Sequence, residues 1–227
     1  MSERIALIVG AGGVLGTALC EEFRDAGYRV FGLRRAVPDG GTEGVHVIAC
    51  DLENPVAVSR IVNALVVELG HIDVAVCNAA TLKVAPFADL APEDFDEAWR
   101  VAVGSTIACA RALLPSMTAR HVGALIVSGA TASIRGAARF AAFASAKFAL
   151  RGLTQALARE YQPGGIHVAH VVLDGLLHGS ASAARFASPD ANYLEPREVA
   201  KVYRHLAEQH PSAWTHECDL RPHAERF

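Results

Sequence analysis

The chain has 227 residues, 52% of them hydrophobic and 20% charged, enough for one α/β domain (residues 1–227) with a sizeable buried core. Its 19 glycines and 10 prolines are dispersed, which excludes collagen-like and low-complexity classes. With 21 Lys plus Arg against 24 Asp plus Glu the formal charge is -3, so neither a nucleic acid nor an anionic membrane is expected as a partner.

Six short apolar runs alternate with segments of helical period: Ile5 to Val9, Arg29 to Leu33, Val45 to Ala49, Ile72 to Cys77, Ala124 to Val127 and Ile166 to Leu173. Between the first two, Leu15, Leu19 and Phe23 recur every four residues and Gly27 follows as a cap, which makes one βαβ unit. Asn54-Pro55 reads as a cap and first-turn proline, opening a helix whose apolar face is Val58, Ile61, Val62, Leu65, Val66 and Leu69. Long helices are expected over about Pro92 to Met117 and Ala138 to Tyr161, a shorter one over Arg197 to Gln209, and a last strand near Trp214 to Leu220. This order predicts a doubly wound parallel sheet of about seven strands with helices on both faces and right-handed crossovers.

Five widely spaced cysteines, Cys20, Cys50, Cys77, Cys109 and Cys218, form no C-x-x-C pair and read as reduced thiols in a cytoplasmic protein. The start of the chain runs straight into a strand-like segment, so no secretory signal is expected. No uninterrupted apolar run approaches the roughly 20 residues of a membrane-crossing helix. His167 and His170 differ by three on an alternating strand and therefore face opposite sides, so no metal site is expected there.

The first strand ends in Gly10-Ala11-Gly12-Gly13-Val14-Leu15-Gly16 and opens into a helix, the setting in which a glycine turn offers N–H groups to a pyrophosphate. The spacing G-x-x-G-x-x-G is met by Gly10, Gly13 and Gly16. About 18 residues on, where an NAD site carries an acid for the ribose hydroxyl, stand Arg34 and Arg35. Guanidinium groups match a 2'-phosphate, so NADP(H) is expected over NAD(H).

With Asp51-Leu52 after the third strand, Cys77-Asn78-Ala79-Ala80 after the fourth, Leu114-Pro115 late in a long helix, and Phe143-Ala144-Ser145-Ala146-Lys147, the whole chain resembles the short-chain dehydrogenase/reductase family. The resemblance implies a Rossmann-type fold and hydride transfer between nicotinamide and a carbonyl or alcohol carbon. It places Asp51 against the adenine, Leu52 beside it, Asn78, Ala79 and Ala80 against the cofactor, and Lys147 on ribose. It puts the family's tyrosine at Phe143, its serine at Thr131 at best, and its asparagine at Ala102. A phenylalanine has no proton to move, so altered proton chemistry is expected, or a protein that binds the cofactor without turnover. Tyr161, about 21 Å beyond Lys147 along the helix, cannot replace the phenol.

His178 and Tyr193, in the stretch Leu176 to Glu195 that matches the family's substrate loop, are the candidate substitute donors. Gly175 and Leu177 stand where the family holds the nicotinamide amide, while Asp174 replaces the usual proline and needs a partner such as Arg135. Arg135 and Arg139 near the pocket mouth could hold an anionic substrate, a small molecule that the sequence does not name. Ala102, Val103, Ala108, Phe140, Phe143 and Phe148 suggest apolar helix faces that pair in a homodimer or homotetramer.

Overall fold

A computed structural model describes residues 3–37, 42–186 and 192–224. The first half of the chain runs β1 (Ile5–Val9), α1 (Gly13–Asp25), β2 (Arg29–Arg34), β3 (Val45–Ala49), α2 (Pro55–Leu69) and β4 (Val74–Cys77). There follow α3 (Pro92–Trp99), a π-helical turn (Arg100–Gly104), α4 (Ser105–Arg120), β5 (Gly123–Ser128) and α5 (Ala141–Tyr161). The chain closes with β6 (Ile166–Leu173), β7 (Leu176–Leu177), α6 (Ala181–Phe186), β8 (Tyr193–Leu194), α7 (Pro196–Ala207) and β9 (Glu217–Leu220).

Seven strands form one sheet in the order β3-β2-β1-β4-β5-β6-β9, with every pairing parallel. Alternation along β1 shows how the sheet divides the core: Ile5, Leu7 and Val9 pack on one face, Ala6 and Ile8 on the other. The first face is covered by α2, α4 and α5 through Val62, Leu113, Met117 and Leu150. The second is covered by α1 and α7 through Leu15, Leu19, Phe23, Val199, Tyr203 and Leu206. Each large apolar side chain so buried contributes about 1.5 to 3 kcal/mol, which is why runs that read as continuously apolar become central strands.

The boundaries differ from the sequence reading in instructive places. The fourth strand starts at Val74 rather than Ile72, and the last at Glu217 rather than Trp214, whose indole instead stacks on the His167 ring at 4.9 Å. The helix expected from Ala138 starts at Ala141, because Arg139 holds a left-handed φ of 72° that no helix can contain. The helix expected over Pro92 to Met117 runs on to Arg120 but is broken by the π turn. That stretch, Pro92–Arg120, is long and apolar enough to cross a membrane by length and composition, and 67% of its most apolar window is buried inside the protein.

Strands β7 and β8, two residues each, pair in parallel within the stretch Leu176 to Glu195, where no strand is expected from the sequence. Residues 187–191 of that loop lie outside the described residues.

Candidate functional site

Strand order reverses between β1, which pairs with β2 on one side, and β4 on the other. At such a switch point the turns beyond the strand ends diverge and leave a crevice. Gly10 and Asn78 meet there. A Cβ on Gly10, whose φ is 93°, would lie 2.6 Å from the Ala79 nitrogen, and one on Gly16 would lie 2.6 Å from the Ala11 carbonyl carbon. Only glycine fits either position. The N-terminus of α1 carries no side-chain cap at Gly12, so its first N–H groups are left for an anion.

Beside this turn opens a cavity of about 630 Å³, lined by Gly13, Val14 and Thr17 of α1 and by Glu195, Pro196 and Arg197 at the start of α7. Leu15, expected among the cofactor contacts, is buried beneath α1 in the second core, so its side chain serves packing. Arg34, the last residue of β2, lies against the turn: its Nε would be 3.8 Å from a Cβ on Gly12. Arg35 follows it, exposed. Asp51 accepts a hydrogen bond from the Glu53 N–H at 3.1 Å and is exposed, while Leu52 is buried. The cap of α2 is Asn54, whose Oδ1 accepts from Val56 and Ala57.

Asn78 is fixed at both ends of its amide. Its Nδ2 donates to the Gly10 carbonyl at 3.0 Å, and its Oδ1 accepts from the Ser128 hydroxyl at 3.0 Å. Ser128 Oγ is also 2.8 Å from the hydroxyl of Tyr203, a fully buried residue of α7. Burial pushes that phenol well above its ordinary pKa, so it stays neutral. The Ser128 carbonyl accepts from Lys147 Nζ at 2.7 Å. One serine thus ties the glycine turn, the lysine and α7 together. Sequence reasoning missed Ser128 and Tyr203. A tyrosine on the apolar stripe of α7 signals a hydroxyl in need of a partner, but not a partner 75 positions away.

Lys147 is buried, and desolvation pulls its ammonium down to about 8. The Phe143 ring centroid is 5.6 Å from Nζ, one helical turn earlier, so an aromatic face occupies the tyrosine position. Ala102 lies buried in the π turn, its carbonyl accepting from Thr106 at 2.7 Å, and its methyl offers no donor or acceptor. Ala79 and Ala80 follow Asn78, Ala79 partly buried and Ala80 exposed.

Thr131 donates its hydroxyl to the Asp174 carboxylate in a short hydrogen bond. The proton that would polarise a substrate oxygen is therefore committed to an acid. Asp174 is buried, with the expected Arg135 at 3.9 Å and, unforeseen, Arg221 from the segment after β9 at 3.4 Å. These two cations offset the cost of burying the carboxylate. Gly175 packs against the same segment: a Cβ there would be 2.8 Å from Pro222 Cδ. Leu177 is half-buried against the second core, and Gly179 brings the loop over Val14.

His178 and Tyr193, the two candidate donors of the loop, stack with ring centroids 5.6 Å apart. His178 Nδ1 lies 2.9 Å from Glu195, and both side chains are more than half exposed. His167 and His170 are both buried, each with its own partners: His167 between the Leu206 and Thr215 carbonyls, His170 beside Glu217 at 3.2 Å. Burial lowers the His170 pKa to about 4. Among the described residues no cluster of three metal-ligating side chains occurs.

The apolar residues expected to form a pairing surface divide differently. Ala102, Val103 and Ala108 are interior, whereas Phe148 is 45% exposed. A separate groove between α4 and α5 is lined by Ile107, Leu114, Leu153, Leu157 and Tyr161.

The family profile described as short chain dehydrogenase matches residues 4–189. A short-chain dehydrogenase/reductase of Armillaria gallica is 31% identical over 178 residues, which is 73% of this chain and 68% of that protein. A short-chain dehydrogenase from Rhodopseudomonas palustris superposes with a TM-score of 0.81 at 29% identity, over 98% of this chain and 100% of that one. A metagenomic short-chain oxidoreductase solved in complex with NADP gives a TM-score of 0.83 at 26% identity, over 97% and 98% of the two chains.

Proposed function

The chain belongs to the short-chain dehydrogenase family, and on that premise we propose that it binds NADP(H) in preference to NAD(H) and acts on a small carbonyl or alcohol by altered proton chemistry. The observation that carries this reading is the contrast at α5: Lys147 is held in place by the Ser128 carbonyl, while Phe143 stands where the family has its phenol. When bound, the cofactor supplies or takes a hydride.

The rest falls to the residues. The uncapped start of α1 would receive the pyrophosphate, and Gly10 and Gly16 keep the backbone close enough. Arg34 and Arg35 would pair with a 2'-phosphate, a reading supported by the position of Arg34 against Gly12 and by the NADP bound to the metagenomic relative. Lys147 would hold ribose hydroxyls. Neither Phe143 nor Ala102 can move a proton, and Thr131 gives its own to Asp174. His178, 2.9 Å from Glu195 and next to Gly179, which brings the loop over Val14, is the ionisable candidate in the substrate loop.

Titration of the protein with NADPH and NADH tests the cofactor reading. NADPH should bind at least about tenfold tighter, and Arg34→Ala should remove most of that difference while leaving NADH binding alone. Equal affinities in the wild type would overturn it. The same residues favour a second reading, a cofactor-binding sensor or assembly protein without turnover, because three of the family's four catalytic positions lack a free proton donor or acceptor. NADPH binding with no oxidation of NADPH in a single-turnover assay would decide for it.

The homo-oligomer also belongs to the proposal, now resting on Phe148 and the α4–α5 groove. Sedimentation at the 24.0 kDa monomer mass would contradict it. A cytoplasmic setting is supported by all five cysteines being free thiols.

A further inference from the structure

Three loops, residues 79–88, 129–140 and 175–186, follow the ends of the neighbouring parallel strands β4, β5 and β6; they carry Lys83, Arg135, Arg139, His178 and Arg185 and contain no Asp or Glu. Carboxylates just outside these loops already face three of the five: Asp94 faces Lys83, Asp174 faces Arg135 and Glu195 faces His178. The loops are joined to one another: the Ala85 N–H donates to the Arg139 carbonyl at 3.0 Å, Arg185 Nη2 donates to the Val84 carbonyl at 3.2 Å, and Phe140 meets Phe186 with ring centroids 6.0 Å apart.

The cations differ in what they already hold. Lys83 is paired with Asp94 at 2.5 Å, and Arg135 stands 3.9 Å from Asp174. Arg185 packs on Phe186, its guanidinium carbon 5.4 Å from the ring centroid, and gives one donor to Val84. The Arg139 side chain is exposed and has no hydrogen-bond or ion-pair partner among the described residues. Its backbone sits at φ 72°, a conformation that glycine or asparagine adopts at lower cost. Backbone strain of this kind clusters at ligand clamps and active sites, where the surrounding structure holds it in place.

The distance to the chemistry is short along the chain. Arg135 lies one turn beyond Thr131, its N–H donating to the Thr131 carbonyl, and Arg139 and Phe140 immediately precede the helix that carries Phe143. We propose, on the reading given above, that the substrate is a small carboxylate-bearing carbonyl or hydroxy compound. Arg139 with Arg135 receives its carboxylate, and the Phe140–Phe186 pair offers an apolar face to its body.

Direct binding tests this without depending on turnover. Benzoylformate and its uncharged analogue 1-phenyl-1,2-propanedione are titrated calorimetrically into the protein, with and without saturating NADPH. Benzoylformate should bind more tightly than the dione, and raising the salt should weaken only benzoylformate. Arg139→Gln should weaken benzoylformate by about tenfold and leave the dione unchanged. Arg139→Gly removes the guanidinium while suiting the backbone angle, so it should lose the same affinity with thermal stability kept or raised.

Equal affinity of the two ligands, no binding of either, or an unchanged benzoylformate affinity in both variants would overturn the proposal. Failure of NADPH to bind would instead strike the cofactor reading, and the titrations without NADPH would still judge the arginines.

Discussion

The two halves of the crevice have been treated differently. At the β1 end the geometry is set by close packing of the turn: glycines where a Cβ would collide, a helix start without a side-chain cap, and an asparagine side chain bonded at both ends of its amide. At the α5 end, Phe143 offers Lys147 a ring face with no hydroxyl, and Thr131 donates to Asp174, which Arg135 also approaches. Holding a cofactor and transferring a proton are thus separable demands on one fold. The first is met by turn geometry and the second by a few side chains that can be exchanged without disturbing the sheet.

The binding half is the less forgiving, and Gly16→Ala shows by how much. Its new methyl would meet the Ala11 carbonyl carbon at 2.6 Å, so the turn must open. We expect a loss of about 4 kcal/mol or more in urea unfolding, together with loss of NADPH binding. A variant that stays as stable as the wild type and binds NADPH would break the comparison at its firmer side.

Beneath the proton-handling half, His170 gives a pH signature. Its folded pKa is lowered to about 4 by burial, against about 6.5 unfolded. As pH falls from 6.5 towards 4 the unfolded chain takes up a proton that the folded chain refuses, so stability falls by about 3 kcal/mol across that window. The groups that face it are Glu217, itself lowered chiefly by Arg151, together with Lys147 and Arg151. Urea midpoints of His170→Gln between pH 6.5 and 4 should fall much less steeply than those of the wild type. Parallel curves would remove His170 as the cause.

Tyr203→Phe is the smallest test. It removes one hydrogen bond to Ser128 and leaves the aromatic packing, so it should cost about 1 kcal/mol in stability and weaken NADPH severalfold through Asn78 and Lys147. An unchanged NADPH affinity would mean that α7 supports the sheet and not the site.

What could be read from the chain beforehand follows this division. Apolar runs, helix period and glycine spacing are local signals, and they mark the strands of the seven-stranded sheet, the glycine turn and Arg34 at the end of β2, whereas Asn78 and Lys147 stood out only through the family resemblance. The absences at Phe143 and Ala102 were legible only by measuring from Lys147 and from Leu114-Pro115. Contacts between distant segments left no local trace: Thr131 with Asp174, Arg221 with Asp174, Tyr203 with Ser128, and the two-residue pairing of β7 with β8. The π turn was hidden because Arg100 to Gly104 keep helical composition, and the late start of α5 because Arg139 is not a residue that announces a left-handed angle.

If the cofactor end of the crevice is complete while the proton end is not, Phe143→Tyr is the substitution that separates the two. With NADPH saturating, reduction of a panel of ketones, aldehydes and 2-oxo acids is followed by NADPH absorbance for the wild type and the variant. A new phenol beside the Lys147 ammonium should raise the rate by about 10²-fold or more over a weak or absent wild-type reaction. Robust wild-type turnover that Phe143→Tyr leaves unchanged would contradict the claim.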